Sequence, residues 1–325
     1  MYSMNPYYTQ NFAVSGAYSR SNDVTNPIAK SRQYEILSKV SRLNLSQIIQ
    51  SIPIPELGGT TALTAYYNFL FLVTGDLLIK MAIYPELEEV KTVRGFTNTK
   101  LITGAVANEI EGPHIFTITD GELLKINLET LQVVDKNSDL DWENARFLDG
   151  AGPNLYTVIG DELINIDVET LRKKGSDSGW QDANLLAVPG DAKIYISRNG
   201  ELFRLKEVTF EYEDSTRDWV GATFLAGSGR FIYLIEDGNL IRIEGWNFST
   251  NPTVPPAPGW RNATLMTAEN EIYIVEDESN SFKNSEQAYR SYADYNHYHC
   301  QYVLQSVPYY YRSHYYPYYP CYLYY

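Results

Sequence analysis

The chain of 325 residues holds only two cysteines, and neither comes before Cys300. A domain stapled by disulfides spreads its cysteines through the fold, so the body of this chain is expected to fold as a reduced core. Basic side chains are also scarce: 26 Lys and Arg stand against 40 Asp and Glu, for a net charge of -14. Duplex nucleic acid and anionic membrane surfaces need clustered cations to displace counterions, so no nucleic-acid partner is expected. Long hydrophobic runs are missing as well. The longest, Phe69 to Ile83, is interrupted by Gly75-Asp76 and is too short to cross a bilayer, so it reads as two strands and a turn, with no membrane span. The opening MYSMNPYYTQNF has neither a basic n-region nor an apolar h-region. No signal peptide is expected, which implies synthesis in the cytoplasm.

Histidine is nearly absent from the body of the chain. His114, beside Pro113, is the one histidine before His297 and reads as a loop residue rather than a base. No Gly-rich phosphate loop and no Ser, His, Asp arrangement can be picked out, and the acidic residues are scattered among turn positions. The expectation is a protein that is not an enzyme, with no catalytic residue and no cofactor.

A repeat dominates the middle of the chain. Each unit opens on Trp, with Ala three residues later and a short apolar run: Trp142-Glu-Asn-Ala145, Trp180-Gln-Asp-Ala183, Trp219-Val-Gly-Ala222 and Trp260-Arg-Asn-Ala263, at spacings of 38, 39 and 41. A second strand follows around Phe116, Tyr156, Tyr195, Tyr233 and Tyr273, with the period-two alternation of a strand. A tight turn then carries glycine at 75, 121, 160, 200 and 238, where positive φ lets two strands reverse. Third strands come straight after, such as Glu122-Leu-Leu-Lys-Ile126 and Asn239-Leu-Ile-Arg-Ile243; Glu162 sits one residue late after Gly160, which reads as an insertion. A weaker fourth strand is expected in the variable parts, for example over Leu131–Val134.

Short antiparallel strands in units of about 40 residues define an all-β fold, a β-propeller, because each small sheet can bury its faces only against its neighbours. First-strand segments begin near Thr60, Lys100, Trp142, Trp180, Trp219 and Trp260, which gives six blades, with five the alternative. After Tyr273-Ile-Val the pattern decays. The last blade therefore either lacks strands or is completed by the N-terminal segment, where Gln33-Tyr-Glu-Ile-Leu and Ile52-Pro-Ile are candidates. Residues 31–58 read two ways, since Ile36, Val40, Leu43 and Gln47 would also share one face of a helix. The divisions are a flexible Tyr/Asn/Ser-rich arm over 1–30, a helix or closing strand over 31–58, the propeller over 59–280 and a Tyr/His/Cys-rich tail over 281–325.

The order Trp-x-x-Ala, apolar-Tyr-apolar strand, Gly-Glu-Leu and a closing basic or polar residue resembles the tachylectin and tectonin group of lectin-like propellers, over residues 59–276. That resemblance implies sites for sugars or surface glycans repeated around the ring. Trp142, Trp180, Trp219 and Trp260 would then offer aromatic faces to sugar rings. The alternative is that each wedges between blades, burying a large area wherever the repeat recurs.

The tail has a different chemistry. Fifteen of the 28 tyrosines lie between Tyr289 and Tyr325, with both cysteines and three of the four histidines. Phenols and thiols are groups that oxidants join covalently, and phenol rings also stack and hydrogen-bond between molecules. Tyr289, Tyr292, Tyr295 and Tyr298 recur every third residue, as along a polyproline-type helix. Further on stand Tyr309, Tyr310 and Tyr311, then Tyr315, Tyr316, Tyr318, Tyr319, Tyr322, Tyr324 and Tyr325, with prolines that disfavour an α-helix. Cys300 and Cys321 could form a disulfide, within the tail or, as the absence of a core to hold the pair together favours, between molecules. His297, His299 and Cys300 could hold Zn or Cu, though their spacing matches no zinc finger.

The composition of the tail, with the acidic core and no export signal, resembles bacterial spore-coat proteins. The sequence therefore suggests a structural protein whose propeller docks on partners and whose tail self-associates or cross-links into a protein layer. Its expected partners are itself or other structural proteins. The alternative is a glycan-binding propeller anchored or oligomerised by its tail.

Overall fold

The computed structural model describes residues 35–54, 59–106, 112–250 and 254–277, all within the first of two compact units, Met1–Asn280. Strands β1 (Glu35–Val40) and β2 (Ile48–Ile54) come first. Blade 1 is β3 (Thr60–Tyr66), β4 (Phe69–Thr74), β5 (Leu77–Ala82) and β6 (Glu88–Arg94). Blade 2 is β7 (Thr99–Val106), β8 (Pro113–Thr119), β9 (Glu122–Asn127) and β10 (Val133–Asn137). Blade 3 follows a short 3-10 turn at Trp142–Asn144 and holds β11 (Asp149–Ala151), β12 (Asn154–Ile159), β13 (Glu162–Asp167) and β14 (Lys173–Ser178). Blade 4 is β15 (Ala183–Ala187), β16 (Lys193–Arg198), β17 (Glu201–Lys206) and β18 (Tyr212–Thr216). Blade 5 has β19 (Ala222–Ser228), β20 (Phe231–Glu236), β21 (Asn239–Glu244) and β22 (Ser249–Thr250), with β23 (Ala257–Pro258) also pairing β21.

Blade 6 joins the two ends of this unit. Strands β24 (Ala263–Ala268) and β25 (Ile272–Asp277) pair with the first two in the order β2-β1-β25-β24. Glu35 lies opposite Asp277, Leu37 opposite Val275 and Lys39 opposite Tyr273. The innermost strands pack in sequence, β24 on β3, β3 on β7, β7 on β11 and β15 on β19, which in turn meets β24. The result is a six-bladed β-propeller around a central channel, closed by pairing strands from both ends of the unit in one sheet.

The strand reading of the N-terminal segment prevails over the helix. Leu37, Ser38, Lys39 and Val40 are buried in succession, whereas Leu43, a member of the helical stripe, is 75% exposed. A blade is packed between the two blades beside it, so β1 is covered on both faces and shows no amphipathic alternation, and the otherwise unpaired edge of β25 decides its conformation.

The hairpin turns correct one reading. Asp120-Gly121, Asn199-Gly200 and Asp237-Gly238 have both residues at positive φ, as a type I′ turn requires. In blade 3 the turn is Gly160-Asp161, because Ile159 pairs with Glu162. There is no insertion; the glycine has moved to the first turn position. Blade 1 does the same with Gly75-Asp76, between the paired Thr74 and Leu77.

Successive blades are tied by a second repeated device. The residue opposite the second-strand aromatic is Lys39, Lys80, Lys125, Asn165, Arg204 or Arg242. Four of these reach a carbonyl just beyond the third strand of the next blade: Lys39 Nζ to Ile83 at 2.7 Å, Lys80 Nζ to Leu128 at 3.1 Å, Arg204 Nη1 to Gly245 at 2.8 Å and Arg242 Nη1 to Arg42 at 2.9 Å. Burying a cation is costly unless its donors are used, and these carbonyls use them. Lys80 lies 3.8 Å above the Phe69 ring and Arg242 4.7 Å above Phe231, which adds attraction in the same gap.

Candidate functional site at the mouth of the central channel

The innermost strands share an irregularity at their first residues. Pairing with the second strand skips one residue in blades 1, 2, 4, 5 and 6, leaving Thr61, Lys100, Asn184, Thr223 and Thr264 unpaired in β-bulges. In blade 3 Arg146 holds this place, next to the isolated bridge of Ala145 with Ile159. A bulge re-aims its side chain, and repeated around a ring it points polar groups at the axis.

Five of these six residues line a cavity of about 980 Å³ at this end of the channel. Leu185, Phe224 and Leu265, each buried, give it an apolar wall. Glu35 and Asp277, opposite each other in register, stand on its rim with Arg261. Arg146 is drawn aside, since its Nη1 donates to the carbonyl of Ala183 at 2.8 Å and its Nη2 to that of Gly160 at 3.0 Å.

Hydrogen-bond accounting shows what the mouth can accept. Thr223 and Thr264 donate their hydroxyl protons to the carbonyls of Ile235 and Val275, both at 3.2 Å, which leaves their oxygens as acceptors. Asn184 Oδ1 is buried without a partner. Glu35 accepts the Thr60 amide at 2.7 Å, yet burial, the larger influence, and the charge of Asp277 hold its carboxyl above the usual carboxylate range. Lys100 Nζ donates a hydrogen bond to the Glu143 carbonyl at 2.7 Å.

At the opposite ends of the innermost strands the packing is dense. The Tyr66 ring lies over Gly104, where an added Cβ would come 2.1 Å from Tyr66 Cγ. Glu269 is buried beside it, with Oε2 unpartnered, and burial pushes its carboxyl up to about 7.

The tryptophans singled out by the repeat sit in the loops leading to these strands. Trp142, Trp180 and Trp260 are buried, and Trp219 is half-buried. Trp142 Nε1 donates to Asn137 Oδ1 at 3.0 Å and Trp180 Nε1 to Asp177 Oδ2 at 2.8 Å. Trp180 meets Phe203 edge-on at 5.6 Å, with the Arg198 guanidinium 4.9 Å from its ring. Three rings are thus packing groups with no free face. His114 is also buried, with Nδ1 3.1 Å from the Gly112 carbonyl, in strand β8 rather than a loop.

Tyr289, Tyr292, Tyr295, Tyr298, Tyr309, Tyr310, Tyr311, Tyr315, Tyr316, Tyr318, Tyr319, Tyr322, Tyr324 and Tyr325 lie outside the described residues, as do His297, His299, Cys300 and Cys321. Among the described residues no cluster of His, Cys, Asp and Glu could hold a metal ion, and no helix is long and apolar enough to cross a membrane. Sequence reasoning missed the bulge ring. Its signal was present in Ala-Asn184-Leu-Leu, Ala-Thr223-Phe-Leu and Ala-Thr264-Leu-Met, where a polar residue before two adjacent apolar ones breaks the period of two.

Among solved structures the chain is similar to the Pan2 WD40 domain of Neurospora crassa, with 10% identity, a TM-score of 0.47, and 75% of this chain and 83% of that one covered. It is also similar to PorZ, an essential bacterial surface component of the type-IX secretion system of Porphyromonas gingivalis, at 19% identity and a TM-score of 0.45, covering 67% of this chain and 32% of PorZ. A third is KlHsv2 with loop 6CD replaced by a Gly-Ser linker, at 8% identity and a TM-score of 0.44, with 60% and 65% covered. The chain spans only a part of the last two, about a third in the case of PorZ. No known protein family matches the sequence, and no curated protein does. The propeller assignment rests on the strand pairing of this chain.

Proposed function

We propose that this protein is a structural assembly protein without catalysis of its own. Its propeller docks on other structural proteins or on copies of itself, and its tyrosine-rich end joins molecules into a layer of the spore-coat type by stacking, dityrosine bonds or disulfides. The observation that carries this reading is the concentration of 15 of 28 tyrosines between Tyr289 and Tyr325. The fold supports a division of labour. Tyr156, Tyr195, Tyr233 and Tyr273 are wholly buried, and burial raises each phenol's pKa, so they are poor sites for oxidation. Among the described residues only Tyr67, Tyr84 and Tyr212 are well exposed.

The test is sedimentation of the full chain beside a version ending at Asn280, which keeps all strands of the closed ring. Both are run with and without peroxidase and peroxide, and with and without reductant. The proposal expects large or covalent species from the full chain alone. If both versions stay monomeric in every condition, the reading fails. The glycan-binding alternative is read from the same shortened protein on polysaccharide resins, where release by free sugar would favour it.

A further inference from the structure

The innermost strands start at the mouth and the strands of a blade alternate in direction, so the turns between third and fourth strands all lie at the other end of the ring. These turns share one plan. Each carbonyl held by a buried cation of the preceding blade is followed directly by an exposed tip residue. Lys39 holds Ile83 and Tyr84 follows, Arg204 holds Gly245 and Trp246 follows, Arg242 holds Arg42 and Leu43 follows, and Lys80 holds Leu128, with Glu129 next. The turns of blades 2 to 5 end on Leu131, Leu171, Phe210 and Phe248, all at positive φ, which aligns them and puts Glu169 and Val208 at the tips of blades 3 and 4. Blades 4, 5, 6 and 1 are consecutive, since β15 packs on β19, β19 on β24 and β24 on β3. An arc of neighbouring turns therefore presents Val208, Trp246, Leu43 and Tyr84, at 56%, 67%, 75% and 49% exposure.

Blade 4 keeps its apolar tip at a cost. In blades 2 and 3 the turn reads Leu128-Glu129 and Val168-Glu169, with the apolar residue buried and the acid exposed. Blade 4 reverses the order to Glu207-Val208. Val208 is left outside at φ 67°, which a β-branched residue rarely adopts, and Glu207 Oε1 is buried without a partner. The reversal does nothing for the turn itself, and local rules are broken where a surface has another use. Aromatic and aliphatic tips on a backbone fixed by buried hydrogen bonds suit the centre of an interface, because docking then orders little that was free. Lys39 Nζ, 4.5 Å from the centre of the Tyr84 ring, holds that tip as well.

Charge selects the partner. Across the ring the same tips are Glu129 and Glu169, and Glu86 stands exposed beside Tyr84. Among the described residues of the turns at this end, the cations Arg42, Arg172 and Arg230 are fewer than the carboxylates, and Arg230 faces Glu244 at 3.7 Å. A second copy, itself at a net charge of -14, is repelled, whereas a basic partner is drawn in. We infer that this arc docks a basic amphipathic segment of another protein, its apolar side on Val208, Trp246, Leu43 and Tyr84 and its Lys or Arg side chains toward Glu129 and Glu169. The inference rests on the docking half of the assembly reading and gives it a surface and a class of partner.

The test is calorimetric titration of the full chain, in reductant and without oxidant, with a synthetic helical peptide that carries leucine on one face and lysine on the other. Binding is expected, and Trp246→Ser and Leu43→Ser should each weaken it by about tenfold, the scale of one interfacial anchor. Val208→Gly should weaken it while melting no lower than the parent, because glycine suits that φ; loss of binding without loss of stability separates docking from folding. Glu129→Lys with Glu169→Lys should weaken binding and flatten its dependence on salt. Val220→Ser, exposed at the mouth end beside Gly200, should change nothing. If the peptide does not bind, if a leucine and glutamate peptide binds as well, or if the tip variants match Val220→Ser, the inference is overturned. A parent that self-associates through these tips, or floats with phosphatidylcholine vesicles when the tip variants do not, assigns the arc to a second copy or to lipid and also overturns it. The assembly reading is judged apart from this, by large species under peroxidase, which the tip variants are expected to form like the parent.

Discussion

At the scale of single residues, the fold depends on a few positions where no other side chain fits. Gly104 lets the Tyr66 ring lie against the neighbouring inner strand, and Gly104→Ala would place a methyl 2.1 Å from Tyr66 Cγ. Because backbone and a fully packed ring meet there, the strain cannot be relieved by a flexible side chain. The expected loss is about 3 kcal/mol, measured by urea unfolding. Buried carboxyls give a second prediction. Burial pushes Glu269, Glu276 and Glu207 up to about 7, and Asp191 to about 6. An acid whose pKa is raised by folding binds its proton more tightly in the native state. Its contribution is fully present below its unfolded pKa and is lost as pH rises through the folded value. The melting temperature should therefore fall between pH 5 and pH 8. Glu276→Gln, which removes one of these protons from the balance, should stabilise the protein at pH 8 by on the order of 2 kcal/mol and have little effect at pH 5.

At the scale of elements, the closing blade is the test of how the ring is held. Lys39 sits in β1, and its ammonium reaches across to the Ile83 carbonyl of blade 1. Lys39→Met keeps the volume and removes the donor, leaving that carbonyl unsatisfied. We expect a loss of about 1–3 kcal/mol in denaturant unfolding, with hydrogen exchange in β1 and β25 quickened before that of blades 2 to 4. The propeller class and the first three strands of most blades were legible in the sequence, with six blades preferred over five, because Trp-x-x-Ala, the second-strand aromatic and the turn glycine each report a local need that recurs with the repeat. The helix-or-strand question at Ser31–Gln50 was not legible. Leu37, Ser38, Lys39 and Val40 are set by the free edge of β25, more than 200 positions away in register, and local periodicity carries no trace of that. The bulge ring was half legible: the broken alternation at Asn184, Thr223 and Thr264 marks it, but that all these side chains meet at one mouth follows only from closure.

At the scale of the molecule, an acidic, closed propeller is joined in sequence to an end crowded with phenols and thiols. Packing buries the propeller's own repeated tyrosines, so the proposed cross-linking would fall to the tyrosine-rich end. The most direct measurement is mass-spectrometric mapping of dityrosine links after peroxidase treatment of the full chain. The account predicts that linked peptides come from residues 289–325, with Tyr67, Tyr84 or Tyr212 as occasional partners and Tyr156, Tyr195, Tyr233 and Tyr273 unlinked. Links concentrated on those four buried tyrosines, or a chain that gives no intermolecular links at all, would contradict it.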